Sequence, residues 1–263
     1  MTELIENLPF TTDDGFGSRA RIGLVVLASD YTIEREFRQV FVDPEVEFYT
    51  ARIANSPTIT PETLAAMEGG IAGAVKLLLA GDKLDVVAYC CTSATVVLGE
   101  DAVFANIRSV QPEALCTTPV TAAFAAFDAL SAKKIAVLTP YQSDVNQQLI
   151  EYFDGAGYSL PVFGSFNEPE DPIVASIDKA SLVQAAERLL DQRSVDMLFV
   201  SCTSIRMLDA VHELEQKFGL PVTSSNHAMA WHCMRLADFA SNIADDDART
   251  RPRLGQLFAT VPL

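Results

Sequence analysis

Two cysteines at matching positions have the spacing and the surroundings of paired acid–base or nucleophilic groups. Cys91 and Cys202 each begin the string Cys-Thr-Ser, and each ends an apolar run that starts with an aspartate, Asp85 or Asp196. The interval is 111 residues for the cysteines and for the aspartates alike. Two sulfurs on opposite sides of one ligand could remove a proton from one face and deliver a proton to the other. Alternatively, one sulfur could add to the ligand while the second assists.

The residues after each cysteine could bind an anionic group. Backbone N–H groups at a strand–helix junction, here at Thr92-Ser93 and Thr203-Ser204, can hold a carboxylate or an oxyanion. The same partial positive charge is expected to lower the pKa of both thiols and to make a thiolate accessible near neutral pH. A single buried cysteine is usually structural, whereas the duplicated motif favours a function. The remaining cysteines are predicted to pack in the core: Cys90, Cys116 and Cys233.

Apolar runs that alternate with helical patterns must position these cysteines. Continuous apolar strands separated by helices predict parallel sheets that are covered on both faces. Such sheets bind ligands beyond the carboxyl ends of their strands. The pattern repeats along the chain, so we predict an α/β fold of two pseudo-symmetric halves, residues 1–130 with Cys91 and residues 131–263 with Cys202. The C-terminal tail is expected to pack back on the first half or on a neighbouring subunit.

The predicted elements follow from these patterns. Strands are predicted over residues 21–29, 46–53, 85–90, 114–118, 133–140, 160–166, 196–202 and 220–225. Helices are predicted over residues 32–42, 61–80, 99–111, 143–156, 179–192 and 205–218. Three glycines inside the second helix, Gly69, Gly70 and Gly73, weaken it and indicate close packing against a neighbour.

Composition and charge exclude several classes of function. The chain of 263 residues carries a formal net charge of −16, which disfavours nucleic acid and anionic membranes as partners. No apolar run reaches the ~20 residues of a membrane span, and the start "MTELIENLPF" lacks the features of a secretory signal, so we expect a cytoplasmic location. The cysteines and histidines lack metal-ligand spacing, and no glycine-rich nucleotide motif is present, so no metal and no nucleotide cofactor is predicted.

The motifs resemble a known superfamily. Four features resemble the aspartate/glutamate/hydantoin racemase superfamily, and within it the branch of maleate cis–trans isomerase and arylmalonate decarboxylase. They are the paired Cys-Thr-Ser strings, the opening "RIGLVVLASDYTIEREF", the "LTPY" that ends at Tyr141 and the "FNEPE" around Asn167. The resemblance spans residues 21–236. It implies a cofactor-independent enzyme with two flavodoxin-like halves, each a short parallel sheet flanked by helices, and an active site in the cleft between them. A homo-oligomer, a dimer or larger, is also expected.

The resemblance also implies roles for individual residues. In a maleate isomerase, Cys91 would add to the double bond of the substrate, and Cys202 would handle the proton. In a racemase, both cysteines would act as acid and base at one carbon. Tyr141 and Asn167 would bind the substrate carboxylate, although Tyr141 could simply be a strand-end aromatic and Asn167 could hold a turn. Further substrate-binding residues are predicted in the two motifs: Thr92, Ser93, Thr203 and Ser204.

One position departs from the family. Asp30 stands where maleate isomerases have an asparagine that contacts a substrate carboxylate, and two facing carboxylates repel each other. If Asp30 lines the site, a nitrogen-bearing acid becomes a better substrate than maleate; otherwise Asp30 is the N-cap of the helix over residues 32–42. The strings "YCCTSATVVLGEDAV" and "SPTITPE" resemble the ectoine-utilisation branch, which implies small carboxylates with an amino or cyclic amidine nitrogen.

Three hypotheses about function follow. The leading one is a two-cysteine isomerase or racemase that transfers a proton at the α-carbon of a small, nitrogen-containing carboxylic acid. Cis–trans isomerisation through a covalent Cys91 adduct is the nearest alternative. Decarboxylation is disfavoured because arylmalonate-type enzymes need only one of the two cysteines, whereas this chain has both. A non-catalytic carboxylate sensor is the alternative of another class, but it would have no use for paired thiols.

Overall fold

The chain forms two parallel sheets of four strands each with the same strand order. The computed structural model describes residues 2–238 and 254–260. The orders are β2-β1-β3-β4 and β6-β5-β7-β8, the flavodoxin-like arrangement. The strands are β1 (Ala20–Leu27), β2 (Val46–Ile53), β3 (Val86–Cys90), β4 (Leu115–Thr117), β5 (Lys134–Thr139), β6 (Ser159–Ser165), β7 (Met197–Val200) and β8 (Val222–Ser224). The predicted duplicated α/β fold is confirmed.

Helices connect the strands of both halves. In the first half they are α1 (Ile33–Val40), α2 (Pro61–Ala65), α3 (Ile71–Val75), α4 (Thr92–Leu98), α5 (Glu100–Arg108) and α6 (Pro119–Ala129). In the second half they are α7 (Ser143–Gly155), α8 (Asp171–Val174), α9 (Lys179–Leu190), α10 (Leu208–Phe218), α11 (Ser225–Leu236) and α12 (Gly255–Ala259). Among these helices, none combines the length and the apolar character that a bilayer span requires.

The single helix predicted over residues 61–80 is wrong. The segment forms α2 and α3, separated by a 3-10 turn over Glu68–Gly70, where two adjacent glycines weaken the helix. Close packing is present only at Gly70, where a Cβ atom would lie 2.9 Å from Cγ1 of Ile53. A Cβ atom at Gly69 or Gly73 would meet open space.

Two helices that the sequence patterns did not indicate, α6 and α11, join the halves. They pack on each other, and α11 also packs on β3 and β4 of the first sheet. Each begins with a side-chain cap, from Thr118 and Ser224 respectively. Helix α11 buries the consecutive residues Ala228, Met229, Ala230 and Trp231. A helix that is buried on all sides has no polar face, so it lacks the amphipathic period by which helices are recognised.

The predicted division into halves falls in a connection between two elements. Helix α6 ends at Ala129 and β5 begins at Lys134, on either side of the predicted boundary at residues 130 and 131. The division into two domains stays a prediction. The described end of the tail, residues 254–260, contacts α10, β8 and α11 of the second half through α12, whereas packing on the first half or on a neighbour was expected. Residues 239–253 and 261–263 of the tail lie outside the described residues.

Candidate active site

Cys91 and Cys202 line one cavity between the two halves. Cys91 follows the last residue of β3 and precedes α4, and Cys202 follows β7 at the equivalent place. Both are buried, with exposed fractions of 4% and 5%. Five more of the predicted site residues line the same cavity: Thr92, Ser93, Tyr141, Thr203 and Ser204. The carboxyl ends of equivalent strands have therefore brought both Cys-Thr-Ser motifs to one place.

Hydrogen bonds through Ser225 and to the residue before Cys91 connect the two motifs. The backbone N–H of Cys202 donates to Oγ of Ser225 at 3.0 Å, and the same oxygen lies 2.8 Å from Oγ1 of Thr92. The Thr203 hydroxyl donates to the carbonyl of Cys90 at 3.4 Å. Ser225 was not predicted as a site residue, because it begins α11, which was itself not predicted.

Burial keeps both thiols protonated. It raises the pKa of Cys91 to about 12, although the Ala94 amide and the Ser93 hydroxyl favour the thiolate and lower the pKa. It also raises the pKa of Cys202, and the nearby carboxylate of Asp171 raises it further. The prediction that helix N-termini would lower both pKa values is wrong for this structure. Removal of the thiols from water outweighs the hydrogen bonds they receive.

The two cysteines differ in backbone conformation. Cys91 is extended, with φ −146° and ψ 117°. Cys202 has φ 137°, a value that favours glycine. A residue other than glycine at such a φ stores strain of order 1–3 kcal/mol, and strain of this kind is concentrated at functional sites.

Tyr141 supplies a hydroxyl group beside Cys202. It follows β5 and is almost completely buried. Its hydroxyl lies close enough to the Cys202 thiol to influence the pKa of both groups. Burial raises the pKa of Tyr141 well above its usual value, so the phenol is a hydrogen-bond donor to the cavity. Asn146 holds this turn in place by donating to the Tyr141 carbonyl at 2.7 Å.

Two of the predicted site residues do not line the cavity. Asn167 is exposed and has φ 57°, and its backbone N–H donates to Ser165 at 2.9 Å, as the turn alternative required. Asp30 is buried behind the site, where its Oδ1 accepts the N–H groups of Thr32 (2.7 Å) and Ile33 (3.0 Å). Asp30 thus caps α1, and burial raises its pKa to about 6. Neither residue is among those that line the described cavity, and their substrate contacts stay predictions.

A carboxylate that sequence reasoning missed lines the cavity instead. Asp171, the first residue of α8, is buried and lies in the cavity wall with both cysteines. The Ser204 hydroxyl donates to its Oδ1 at 2.6 Å, and the Ser29 hydroxyl donates to its Oδ2. Asn55, also in the lining, donates from its amide to Oγ of Ser29 at 2.8 Å.

A pseudo-symmetric bridge beside the cavity connects the two halves. The Ile59 N–H donates to the Pro169 carbonyl, and the Asp171 N–H donates to the Pro57 carbonyl, both at 3.0 Å. The bonded groups are related by an offset of 112 residues, which also relates Asn55 to Asn167. The repeated Asn-x-Pro string was the signal in the sequence that could have revealed Asn55. The segment over residues 55–67 supplies one wall of the cavity.

The cavity is closed in this conformation. Its volume is about 20 Å³, which suffices for a single water molecule. A ligand with several carbon atoms therefore requires the cavity to widen.

Comparisons with known proteins agree with this geometry. A family model described as arylmalonate decarboxylase matches residues 22–249. A maleate isomerase of Nocardia farcinica is 30% identical over 229 residues, covering 83% of this chain and 90% of the relative. An arylmalonate decarboxylase of Bordetella bronchiseptica is 34% identical over 146 residues, covering 54% of this chain and 57% of the relative.

A solved structure is similar over most of the chain. It is a variant of the Nocardia farcinica maleate cis–trans isomerase with a covalently bound succinylcysteine intermediate. The TM-score is 0.76 at 28% sequence identity, and the match covers 83% of this chain and 93% of the other. The duplicated fold, the shared cavity and these matches lead to one assignment: the chain belongs to the arylmalonate decarboxylase family.

Proposed function

We propose that this protein is a cofactor-independent isomerase or racemase of a small carboxylic acid, with Cys91 and Cys202 as its reacting groups. The observation that carries the proposal is that one cysteine from each half lines the same closed cavity. The family membership supports it, since relatives include maleate isomerases, and one structural relative holds a covalent cysteine intermediate. A sensor that only binds its ligand would not need the two thiols.

The chemistry we propose is proton transfer at an α-carbon. One sulfur, as thiolate, removes the α-proton, and the thiol on the opposite side delivers a proton to the other face. The hydroxyl group of Tyr141, which lines the cavity, is available to the substrate carboxylate and to the negative charge that develops on it. Because burial holds both thiols protonated, one of them must transfer its proton to solvent water before the substrate closes off the cavity.

The finer substrate class is a nitrogen-containing acid, as in the breakdown of ectoine or hydroxyectoine. The sequence strings that resemble the ectoine-utilisation branch support this choice. Asp30 no longer supports it, because its carboxylate caps α1. A cytoplasmic location and a homo-oligomer stay predictions from the sequence.

The second candidate is cis–trans isomerisation of maleate. The 30% identity to a maleate isomerase over most of the chain favours it, and so does the succinylcysteine in a structural relative. In this reaction the Cys91 sulfur would bond to one carbon of the double bond, and Cys202 would give a proton to the other carbon. After rotation about the resulting single bond, Cys202 would take a proton back from that carbon, and the carbon–sulfur bond would break to release the trans acid.

Isotope exchange tests the proposal. Candidate acids are incubated with the enzyme in D₂O, and deuterium at the α-carbon is followed by NMR, with maleate and fumarate measured in parallel. Replacing Cys91 or Cys202 with serine is expected to slow exchange by roughly 10²–10⁴-fold, the usual contribution of one acid or base. Cys116→Ser is the matched control, because Cys116 is a buried cysteine outside the cavity lining. Unchanged exchange in both site variants would contradict the proposal.

A further inference from the structure

Asp171 is a buried carboxylate without a basic partner in the cavity. Its two oxygens accept hydrogen bonds from the Ser29 and Ser204 hydroxyls, one from each half. Among the residues that line the cavity in the described part of the chain, none is lysine, arginine or histidine. In this lining, Asp171 is therefore an acidic side chain with no basic side chain beside it.

This arrangement is costly unless a ligand completes it. A carboxylate taken out of water loses hydration energy that two neutral hydroxyl groups restore only in part. A cation placed against Asp171 would restore more, because charge-assisted hydrogen bonds are about twice as strong as neutral ones. Each carboxylate oxygen has a second lone pair, because each accepts from one hydroxyl donor among the residues that the structure describes.

The charge on Asp171 also acts on both reacting sulfurs. It is among the causes that raise the pKa of Cys91 and of Cys202. A cation that neutralises Asp171 would remove part of this effect and would favour ionisation of a thiol when the substrate arrives. An anionic group such as a second carboxylate would have the opposite effect, because like charges in a low-dielectric site repel strongly.

We propose that Asp171 binds a cationic nitrogen of the substrate, an ammonium or amidinium group, and thereby selects nitrogen-bearing acids over neutral or dianionic acids of the same shape. The inference rests on the proposed function, since it takes this cavity as the substrate site. The α-carboxylate then faces the Tyr141 hydroxyl, and the nitrogen faces Asp171. Asp171 is a specificity-determining residue in this assignment, and the cysteines carry the proton transfer.

Matched pairs of ligands test this assignment without turnover. Thermal-shift titrations with the Cys91→Ser variant compare α-amino acids with the α-hydroxy acids of the same skeleton: alanine with lactate, aspartate with malate, and glutamate with 2-hydroxyglutarate. Apparent affinities follow from the concentration dependence of the melting temperature. We expect the amino acid of at least one pair to bind roughly 10- to 100-fold more tightly than its hydroxy counterpart, the range for a hydrogen bond to a charged group.

Substitution of the carboxylate completes the test. Asp171→Asn, added to Cys91→Ser, keeps the shape and removes the charge, and it is expected to reduce the ratio within the pair to about one. Asp30→Asn is the matched control, because Asp30 is buried equally but lies outside the cavity lining; it should leave the ratio unchanged. Hydroxy acids that bind as tightly as amino acids, no stabilisation by any amino acid, or a ratio that does not depend on Asp171 would each overturn the assignment.

The outcome is separable from that of the proposed function. Amino acids that bind through Asp171 but show no α-proton exchange in the protein with both cysteines would refute the catalytic proposal and leave this one standing. Cysteine-dependent turnover of maleate or hydroxy acids, unaffected by Asp171→Asn, would support the catalytic proposal and refute the role of Asp171.

Discussion

Replacing Cys202 with glycine is expected to stabilise the fold relative to replacing it with alanine. Both changes remove the sulfur, so their difference isolates the backbone. At φ 137° alanine retains the strain of order 1–3 kcal/mol, whereas glycine does not. Glycine also gains freedom in the unfolded chain, which costs about 0.4–1 kcal/mol of stability. The net expectation is that Cys202→Gly is more stable than Cys202→Ala by about 1.3 kcal/mol at the mid-values, and by at most about 2.6 kcal/mol.

The equivalent cysteine provides the control. Cys91 has an ordinary extended backbone, with φ −146°, so glycine relieves nothing there. Cys91→Gly should be less stable than Cys91→Ala by about 0.4–1 kcal/mol. The two positions occupy equivalent strand ends in a duplicated fold, and the expected difference therefore has opposite signs at the two sites.

Urea unfolding followed by circular dichroism measures both pairs. The comparison is valid if the dependence of the unfolding free energy on urea is the same in all four variants. If glycine is less stable than alanine at position 202 as well as at position 91, Cys202 is not strained and the argument fails. A confirmed sign reversal would mean that stability favours glycine at position 202, and that the cysteine is kept there for another reason.

Two further predictions concern hydrogen bonds between the two halves. Ser225→Ala leaves the Cys202 N–H and the Thr92 hydroxyl without their shared partner, and it should lower the free energy of unfolding by roughly 2–4 kcal/mol. The exposed control Ser109→Ala should change the free energy of unfolding by less than about 0.5 kcal/mol. Equal effects of the two substitutions in urea unfolding would contradict the role given to Ser225. Glu36 accepts hydrogen bonds from the N–H groups of Met207 and Leu208 in the other half. Burial raises the pKa of Glu36 from 4.5 to about 7. The stabilising contribution of Glu36 is therefore complete below pH 4.5 and is lost as the pH rises through 7. Relative to Glu36→Gln, the wild type should therefore lose about 3 kcal/mol of stability between pH 4.5 and pH 8, and parallel stability profiles for the two proteins would refute this.

The elements that pattern reasoning found are those with one polar face or with clear end signals. Helix α7 was predicted over residues 143–156 and is observed over Ser143–Gly155, because its apolar residues recur at helical spacing. Helix α11 was missed because it is buried on nearly every side, and the burial comes from α6 and from the first sheet, which are distant in sequence. Ser225, the first residue of α11, was therefore missed as well.

The carboxylates show the same limit. The sequence places Asp30 at the end of β1 and before a helix, and both the capping role and the ligand-binding role were consistent with that position. Only the structure decided for the cap, through the N–H groups of Thr32 and Ile33. Asp171 carried no motif of its own, and it reaches the cavity because the bridge to Pro57 holds α8 against the other half.

By itself, the sequence determined the duplicated α/β fold and the meeting of Cys91 with Cys202. Both depend on local patterns: apolar strands, an internal repeat, and the rule that parallel strands bring their carboxyl ends to one edge. The tertiary structure alone decided the raised pKa values of the thiols, the strain at Cys202 and the position of Asp171 in the cavity wall. These properties depend on burial and on contacts between distant segments, and no local pattern encodes the loss of water around a side chain.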